Sequence, residues 1–330
     1  MAERLRVYAT RSLPGSGLER VAEVAELEVW PRPGGPPPAA LARRAAAAEG
    51  LLCLLTDRVD EGLIRACSRL RVISSCSVGV DHIDLAAAAA RGIPVGHTPG
   101  VLTETTADLA FALLLAGARR LGEAERWLRA GRWTTALRWE PDSFLGRDLH
   151  GATLGIVGLG AIGLAVARRA AGFGVRMLGW SRHPKPEAAA LGVQEVDLGR
   201  LLRESDFVSL HVALAPDTRH LIDAEALSAM KPSALLVNTA RGEVVDEAAL
   251  VEALRSGAIG GAALDVYAAE PLAPSSPLLG LENVTLLPHL GSASVATRTR
   301  MADLAVDNLL AGLEGRPLVH CASPQIHGHP

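Results

Sequence analysis

The chain has 330 residues, room for two domains, and is 49% hydrophobic but only 3% aromatic, so an aliphatic core is expected. Its 33 Lys and Arg against 36 Asp and Glu leave a net charge of -3, which excludes the broad basic face that a nucleic acid or an anionic membrane would need. The N-terminus carries no apolar signal region, and the longest apolar stretch, "LAFALLLAGA", is too short to span a bilayer. Cys53, Cys67, Cys76 and Cys321 show neither CxxC pairing nor zinc-ligand spacing, so free thiols, no metal and a cytoplasmic location are expected.

In chain order, short apolar runs at 5–10, 27–30, 50–56, 70–77 and 93–98 are flanked by Gly, Pro or Asp and read as strands. Helical stretches at 39–48 and 84–91 separate them, and "PRPGGPPP" (31–38) reads as a stiff loop outside any element. A long helix follows from "TETTADLAFALLLAGARR", with Thr103 as its N-cap, then a second helix to about Gly131 and an irregular, aromatic connection over 132–150. A second series places strands at 153–158, 175–180, 207–213, 234–239, 260–266 and 284–288, and a last helix runs from Ser292 to Ala311. Strand–helix alternation predicts an α/β fold of two doubly wound parallel-sheet domains. The expected division is 1–100 with 292–330 as one domain and 101–291 as the other, with a hinged cleft between them.

"TLGIVGLGAIGLAVARRAAGFG" sets Gly158, Gly160 and Gly163 in G-x-G-x-x-G spacing between an apolar strand and an Ala-rich helix. The first glycine permits a tight turn, the second lets backbone approach a pyrophosphate, and the third lets helix and strand pack closely. Leu159, Ala161 and Ile162 complete that turn and the helix N-terminus that would face the phosphates. The next strand runs out into Ser181, Arg182, His183 and Lys185, with no carboxylate before Glu187. An acid there would bind the ribose 2′-OH and repel a 2′-phosphate. A hydroxyl and cations fit the phosphate, so NADPH is expected as cofactor, with NADH less preferred.

Three later segments bring polar residues to strand ends: Arg241 in "NTARGEVVDEAAL", Asp265 and Glu270 in "ALDVYAAEPL", and Pro288 and His289 in "LLPHLGSAS". Ligands of open parallel sheets gather at those ends. Reduction of a 2-oxo acid needs a carboxylate clamp, a proton donor and a hydride donor. Arg241 suits the clamp through its planar fork, His289 suits proton transfer, and Glu270 suits the partner that orients the imidazole and favours its charged form. The bland readings are a surface cation, a loop histidine and a turn-capping Asp265.

With these motifs the chain resembles the D-2-hydroxyacid dehydrogenase family over about residues 5–318, and "SVGVDHIDL", "RGIPVGHTPGVLTETTADLAFALLLAGARR" and "GRWTT" resemble its glyoxylate/hydroxypyruvate reductase branch. The resemblance implies a flavodoxin-like substrate domain, a Rossmann-like cofactor domain, NAD(P)H, small 2-oxo or 2-hydroxy acid substrates and a homodimer. It assigns catalysis to Arg241, Glu270 and His289, with His289 as proton donor. It assigns substrate binding to the backbone N–H groups of Val78 and Gly79, with Arg241, His289 and Ser292. Cofactor contacts fall on Thr105, the residues from Gly158 to Ile162, the 181–183 corner, Ala213, Thr239, Asp265 and Gly291. Trp139, or alternatively Trp133, is the candidate to enter a partner's active site, although "ALRWEPDSFLG" departs from the family pattern.

Other members of the fold are disfavoured on particular residues. A D-3-phosphoglycerate dehydrogenase would show an acid near 181 and often an added regulatory domain, and a formate dehydrogenase carries Gln at the position of Glu270. A dinucleotide-sensing co-repressor would keep the same motifs but add long charged extensions. HExxH and P-loop signatures are absent. The histidines of "VHCASPQIHGHP" have no ligand spacing, which argues against a metal site.

Overall fold

The computed structural model describes residues 4–322. Every pairing between its named strands is parallel. The chain opens with β1 (Leu5–Ala9), α1 (Gly17–Val24), β2 (Ala25–Val29), α2 (Pro38–Ala45), β3 (Gly50–Cys53), α3 (Glu61–Ala66), β4 (Val72–Ser75), α4 (Leu85–Ala90) and β5 (Val95–Gly96). The resulting sheet has the order β2-β1-β3-β4-β5, the flavodoxin-like arrangement whose winding reverses between β1 and β3.

The second series runs α5 (Thr103–Ala118), α6 (Leu121–Arg129), β6 (Thr153–Val157), α7 (Ala161–Ala170), β7 (Arg176–Trp180), α8 (Pro186–Ala190), β8 (Val193–Glu195), α9 (Leu198–Glu204), β9 (Phe207–Leu210), α10 (Ala224–Ala229), β10 (Leu235–Asn238), α11 (Glu247–Ser256), β11 (Gly261–Leu264) and β12 (Val284–Leu286). Its seven-stranded order, β12-β11-β10-β9-β6-β7-β8, reverses between β6 and β9 as in a dinucleotide-binding sheet. A final helix, α12 (Val295–Leu313), packs on β3 and β4 of the first sheet. Two compact units result: the chain up to Leu102 together with the chain from Ser292 onward, and Thr103–Gly291.

Parallel neighbours need a crossover of a dozen or more residues, and the helices supply it while covering both sheet faces. The middle strands are accordingly buried throughout, without polar alternation, in β3, β4, β9, β10 and β11. On β10, Leu235 and Val237 face one apolar cluster with α5 and α7, whereas Leu236 faces the other with α9, α10 and α11. Asp60, Asp84, Asp197, Asp223 and Asp246 each cap a helix by accepting a backbone N–H from its first turn, worth about 1 kcal/mol apiece.

Several boundaries differ from the sequence reading. Helices α1 and α3 and the three-residue edge strand β8 were not predicted, because each is short. Thr103 is the first helical residue of α5, not a residue outside it. Helix α12 starts at Val295 with Ser294 as its cap and continues to Leu313, since Ser294 Oγ accepts the Thr297 N–H. Pro38 opens α2, where a proline's missing N–H costs nothing. No helix among the described residues is long and apolar enough to cross a membrane. His320 lies within the described residues, and the tail histidines His327 and His329 lie outside them.

Candidate active site

The glycine turn joins β6 to α7, and each glycine has a separate reason. Gly158 has φ +102°, and a Cβ there would lie 2.7 Å from the His211 carbonyl. A Cβ on Gly163 would stand 2.0 Å from the Gly158 oxygen, so helix and turn touch backbone to backbone. At Gly160 nothing stands within 4 Å of the built Cβ. The first and third glycines are thus demanded by packing, and the second faces open space where a phosphate could approach. Leu159 is fully buried, while Ala161 is exposed and Ile162 half-buried in the first turn of α7. That helix has no side-chain cap, which leaves its N-terminus suited to an anion. Thr239, just past β10, is buried, and its Oγ1 has no hydrogen-bond partner among the described residues. A buried orphan hydroxyl is costly unless something else satisfies it. The open second glycine and the orphan hydroxyl together fit a bound dinucleotide.

At the tip of β7, Ser181 Oγ donates to the His183 carbonyl at 2.5 Å. Arg182 is exposed but paired, its Nη1 lying 3.0 and 3.3 Å from the two Asp217 carboxylate oxygens. Lys185 donates its backbone N–H to Glu195 at 3.0 Å. The corner is therefore less purely basic than residues 181–185 alone suggested, because Asp217 and Glu195 arrive from elsewhere in the chain. The Ala213 carbonyl accepts Thr218 Oγ1 at 2.7 Å, shaping the loop that follows β9.

The ends of β10, β11 and β12 carry the remaining residues. Buried Asn238 braces the first: its Oδ1 accepts the Ala240 N–H at 3.0 Å and its Nδ2 donates to the Arg241 carbonyl at 2.9 Å. Arg241 in turn donates to the Ala240 carbonyl at 2.8 Å. The next residue, Gly242, lies so close to the second loop that a Cβ would stand 1.8 Å from the Tyr267 carbonyl carbon. This contact sets the Arg241 turn against the turn that carries Glu270.

Glu270 Oε1 accepts the Tyr267 N–H at 3.1 Å, and Oε2 meets His289 Nδ1 at 2.7 Å. Burial alone would raise the Glu270 pKa, but the His289 bond and charge, with the Tyr267 N–H and Arg241, outweigh it and hold the carboxyl below its ordinary value. Tyr267 donates its hydroxyl to the Leu287 carbonyl at 2.7 Å, tying this turn to the segment leading to His289. His289 itself has φ +55°, an uncommon conformation for a residue with a Cβ.

Asp265 explains how that conformation is held. Its two carboxylate oxygens accept the Leu290 and Gly291 N–H groups at 2.6 and 2.8 Å, and its carbonyl accepts the His289 N–H at 2.9 Å. Burial pushes its pKa up, against those bonds and the nearby His289. Buried Thr106 adds an anchor by donating to the Gly291 carbonyl at 3.0 Å, one residue beyond half-buried Thr105. Asn238, Gly242, Tyr267 and Thr106 were missed in the sequence. The signals available were the Asn and Gly flanking "TAR" and the Tyr within "LDVYAAEP".

In the other unit, Val78 and Gly79 lie in the loop after β4, half-buried, and Ser292 begins the approach to α12. Trp133 and Trp139 are 58% and 78% exposed in the connection between α6 and β6. The Trp133 indole donates to the Arg138 carbonyl at 3.1 Å.

A Rossmann-order sheet with this glycine turn, and a paired imidazole and carboxylate at strand ends of that sheet, define a nicotinamide-dependent oxidoreductase. Residues 111–291 match the family model "D-isomer specific 2-hydroxyacid dehydrogenase, NAD binding domain". A glyoxylate reductase of Korarchaeum cryptofilum is 50% identical over 311 residues, 94% of this chain and 93% of its own. A Thermus thermophilus structure is similar at TM-score 0.90 and 50% identity, covering 96% of this chain and 100% of that one. An NADPH-dependent glyoxylate/hydroxypyruvate reductase of Sinorhizobium meliloti, solved with NADP and malonate, is similar at TM-score 0.85 and 38% identity, with 97% of each chain covered. The chain belongs to the D-isomer specific 2-hydroxyacid dehydrogenase family.

Proposed function

We propose that the protein reduces glyoxylate to glycolate and hydroxypyruvate to D-glycerate, with NADPH preferred over NADH. The observation that carries this reading is the 2.7 Å Glu270–His289 pair, set at strand ends of a sheet that also carries Arg241 and the glycine turn. The names of the Korarchaeum and Sinorhizobium relatives support the choice of substrate. Bound reduced nicotinamide supplies the hydride. Arg241 holds the substrate carboxylate with charge-assisted bonds, joined by the Val78 and Gly79 N–H groups, and Ser292 contributes to the same site. His289, oriented through Nδ1 by Glu270, gives its Nε2 proton to the carbonyl oxygen as that oxygen becomes the alcohol. Asp265 and Thr106 keep the His289 turn in place. The cofactor is assigned to Thr105, Gly158, Leu159, Gly160, Ala161, Ile162, Ser181, Arg182, His183, Ala213, Thr239, Asp265 and Gly291.

The test is loss of reduced-nicotinamide absorbance with glyoxylate, hydroxypyruvate and pyruvate in parallel. Turnover is expected with the first two, and none with any of the three would refute the assignment.

The NADPH preference rests on Ser181 and Arg182 and on the lack of an acid at that strand tip. The Arg182–Asp217 pair is more than half exposed on both sides. Such pairs contribute little, about 0–1 kcal/mol, so a dianionic phosphate can displace Asp217. Arg182→Asp should weaken NADPH binding by at least about tenfold, the effect of one lost charge-assisted contact, with NADH binding retained. Nicotinamide fluorescence titration measures both, and an unchanged NADPH Kd would remove the phosphate assignment.

A homodimer is also proposed. Leu121, Leu128, Trp133, Leu137, Trp139 and Leu145 are all exposed within one stretch of chain, and an apolar surface that is contiguous marks an interface. Trp139, the more exposed of the two tryptophans, is the better candidate to reach a partner's site.

A further inference from the structure

Three successive carbonyls in the loop after β4 are each held by a donor. The Ser77 carbonyl accepts the Thr98 N–H at 2.8 Å. The Val78 carbonyl accepts from His97 Nδ1 at 2.9 Å, and the Gly79 carbonyl accepts from Ser77 Oγ at 2.7 Å. In a planar trans peptide the C=O and the following N–H point in opposite directions. Anchoring these carbonyls therefore aims the N–H groups of Val78, Gly79 and Val80 the other way, and none of the three has an acceptor among the described residues. Successive N–H groups left open in this manner form a concavity for an anion.

Of the three anchors, only the one on Val78 comes from a side chain outside the loop. A carbonyl can only accept, so His97 Nδ1 carries the proton in this bond. His97 is itself tied on both sides of its backbone. Its N–H donates to the His320 carbonyl at 3.2 Å, and its carbonyl accepts from Asn308 Nδ2 at 2.9 Å. Asn308, fully buried on α12, closes the circuit by accepting the His320 N–H at 2.9 Å. Ala322 adds a bond from its N–H to the Val95 carbonyl at 2.8 Å, so the last described residues lie along the edge of β5. Gly96 leaves no space for adjustment, since a Cβ there would be 2.6 Å from Asn308 Cβ.

We propose that His97 is a positioning residue for the substrate carboxylate: its ring holds the Val78 carbonyl back so that the Gly79 N–H is presented to the anion. This rests on the reading of the Val78–Gly79 loop as a carboxylate site given above. The C-terminal segment at 320–322 and Asn308 hold the ring where it must be.

Two variants separate the donor from mere bulk. His97→Leu keeps branching at Cγ but has no donor. His97→Asn places its Nδ2 where the imidazole has Nδ1. For each, KM and kcat with glyoxylate, the Kd of NADPH by fluorescence, and the Kd of oxalate by calorimetry are measured on the full chain. Oxalate serves as an unreactive dicarboxylate of the same length. His97→Leu is expected to raise KM and the oxalate Kd about tenfold, the scale of one hydrogen bond to a charged group, with the NADPH Kd unchanged. His97→Asn is expected to restore both to within about twofold. Unchanged KM and oxalate affinity in His97→Leu would overturn the inference while leaving the proposed function standing. Equal losses in both variants, or a parallel loss of NADPH affinity, would overturn it as well, by marking a general structural role. A wild-type protein that neither reduces glyoxylate nor binds oxalate would overturn the proposed function and this inference together.

Discussion

Replacing His289 with alanine is expected to lower kcat for glyoxylate reduction by about 10²–10⁴, the usual contribution of a positioned acid, while NADPH affinity stays near wild type. The ring is bonded through Nδ1 to Glu270 at 2.7 Å, and its turn is held by the two carboxylate oxygens of Asp265. Removing the imidazole thus takes away the proposed proton donor without dismantling the glycine turn between β6 and α7. Single-turnover kinetics beside fluorescence titration separate the two effects. Loss of NADPH binding with turnover intact would contradict the assigned role. Glu270→Gln tests the same pair by charge. A neutral amide pairs with the ring more weakly than a carboxylate does, so kcat for reduction should fall while NADPH affinity stays near wild type. The effect on stability has a definite sign. The Glu270 carboxyl is held below its ordinary 4.5 in the folded protein. Its contribution is therefore present above that value and is lost as pH falls through the depressed one. Acid unfolding followed by circular dichroism should show a smaller loss over that window in Glu270→Gln than in wild type.

Gly242→Ala should be nearly as damaging, for a steric reason. The added methyl would stand 1.8 Å from the Tyr267 carbonyl carbon and 2.0 Å from its oxygen, and backbone cannot rotate aside as a flexible side chain can. Overpacking of this kind costs about 1–3 kcal/mol of stability. The chemical cost is expected to exceed it, because the two turns forced apart carry Arg241 and Glu270. Displacement of catalytic groups by about an ångström can cost on the order of 10²-fold in rate. The expected result is a folded protein with a modestly lowered melting temperature, NADPH affinity close to wild type and a hundredfold loss in kcat/KM, to the order of magnitude. A variant with wild-type kcat/KM would show that the two turns need not touch.

How much of this could be read from residues alone depends on whether a feature is local. Both parallel sheets were legible, since buried strands write themselves as short apolar runs between Ala-rich helices. The edge strand β8 was not, because an edge strand buries little and its sequence, "VQE", is mostly polar. Helix α3 was equally hidden, although Asp60 at its start was a usable cap signal. Apolar runs such as 50–56 continued past the strand they contain, because Leu54 and Leu55 are apolar in type yet only half-buried and outside the pairing.

At the site the same division holds. Gly158, Gly160 and Gly163 announce their turn because backbone sterics impose that spacing wherever a strand feeds a helix beneath a dinucleotide. Arg241, Glu270 and His289 were legible as residue types suited to a chemistry, each following an apolar strand. What sequence could not supply was which groups answer them across space. Arg182 looked like a free cation until Asp217, 35 positions on, was found against it. Asp265 stood out as an acid after a strand, but that both its oxygens accept the Leu290 and Gly291 N–H groups was not legible in the sequence. That Gly242 lies against the Tyr267 backbone was not legible in the sequence. Hydrophobic period and turn sterics act over a few neighbouring residues and are written in order along the chain. Hydrogen-bond partners and close backbone approaches are chosen by the order in which strands assemble, and only the folded sheet brings them within reach of one another.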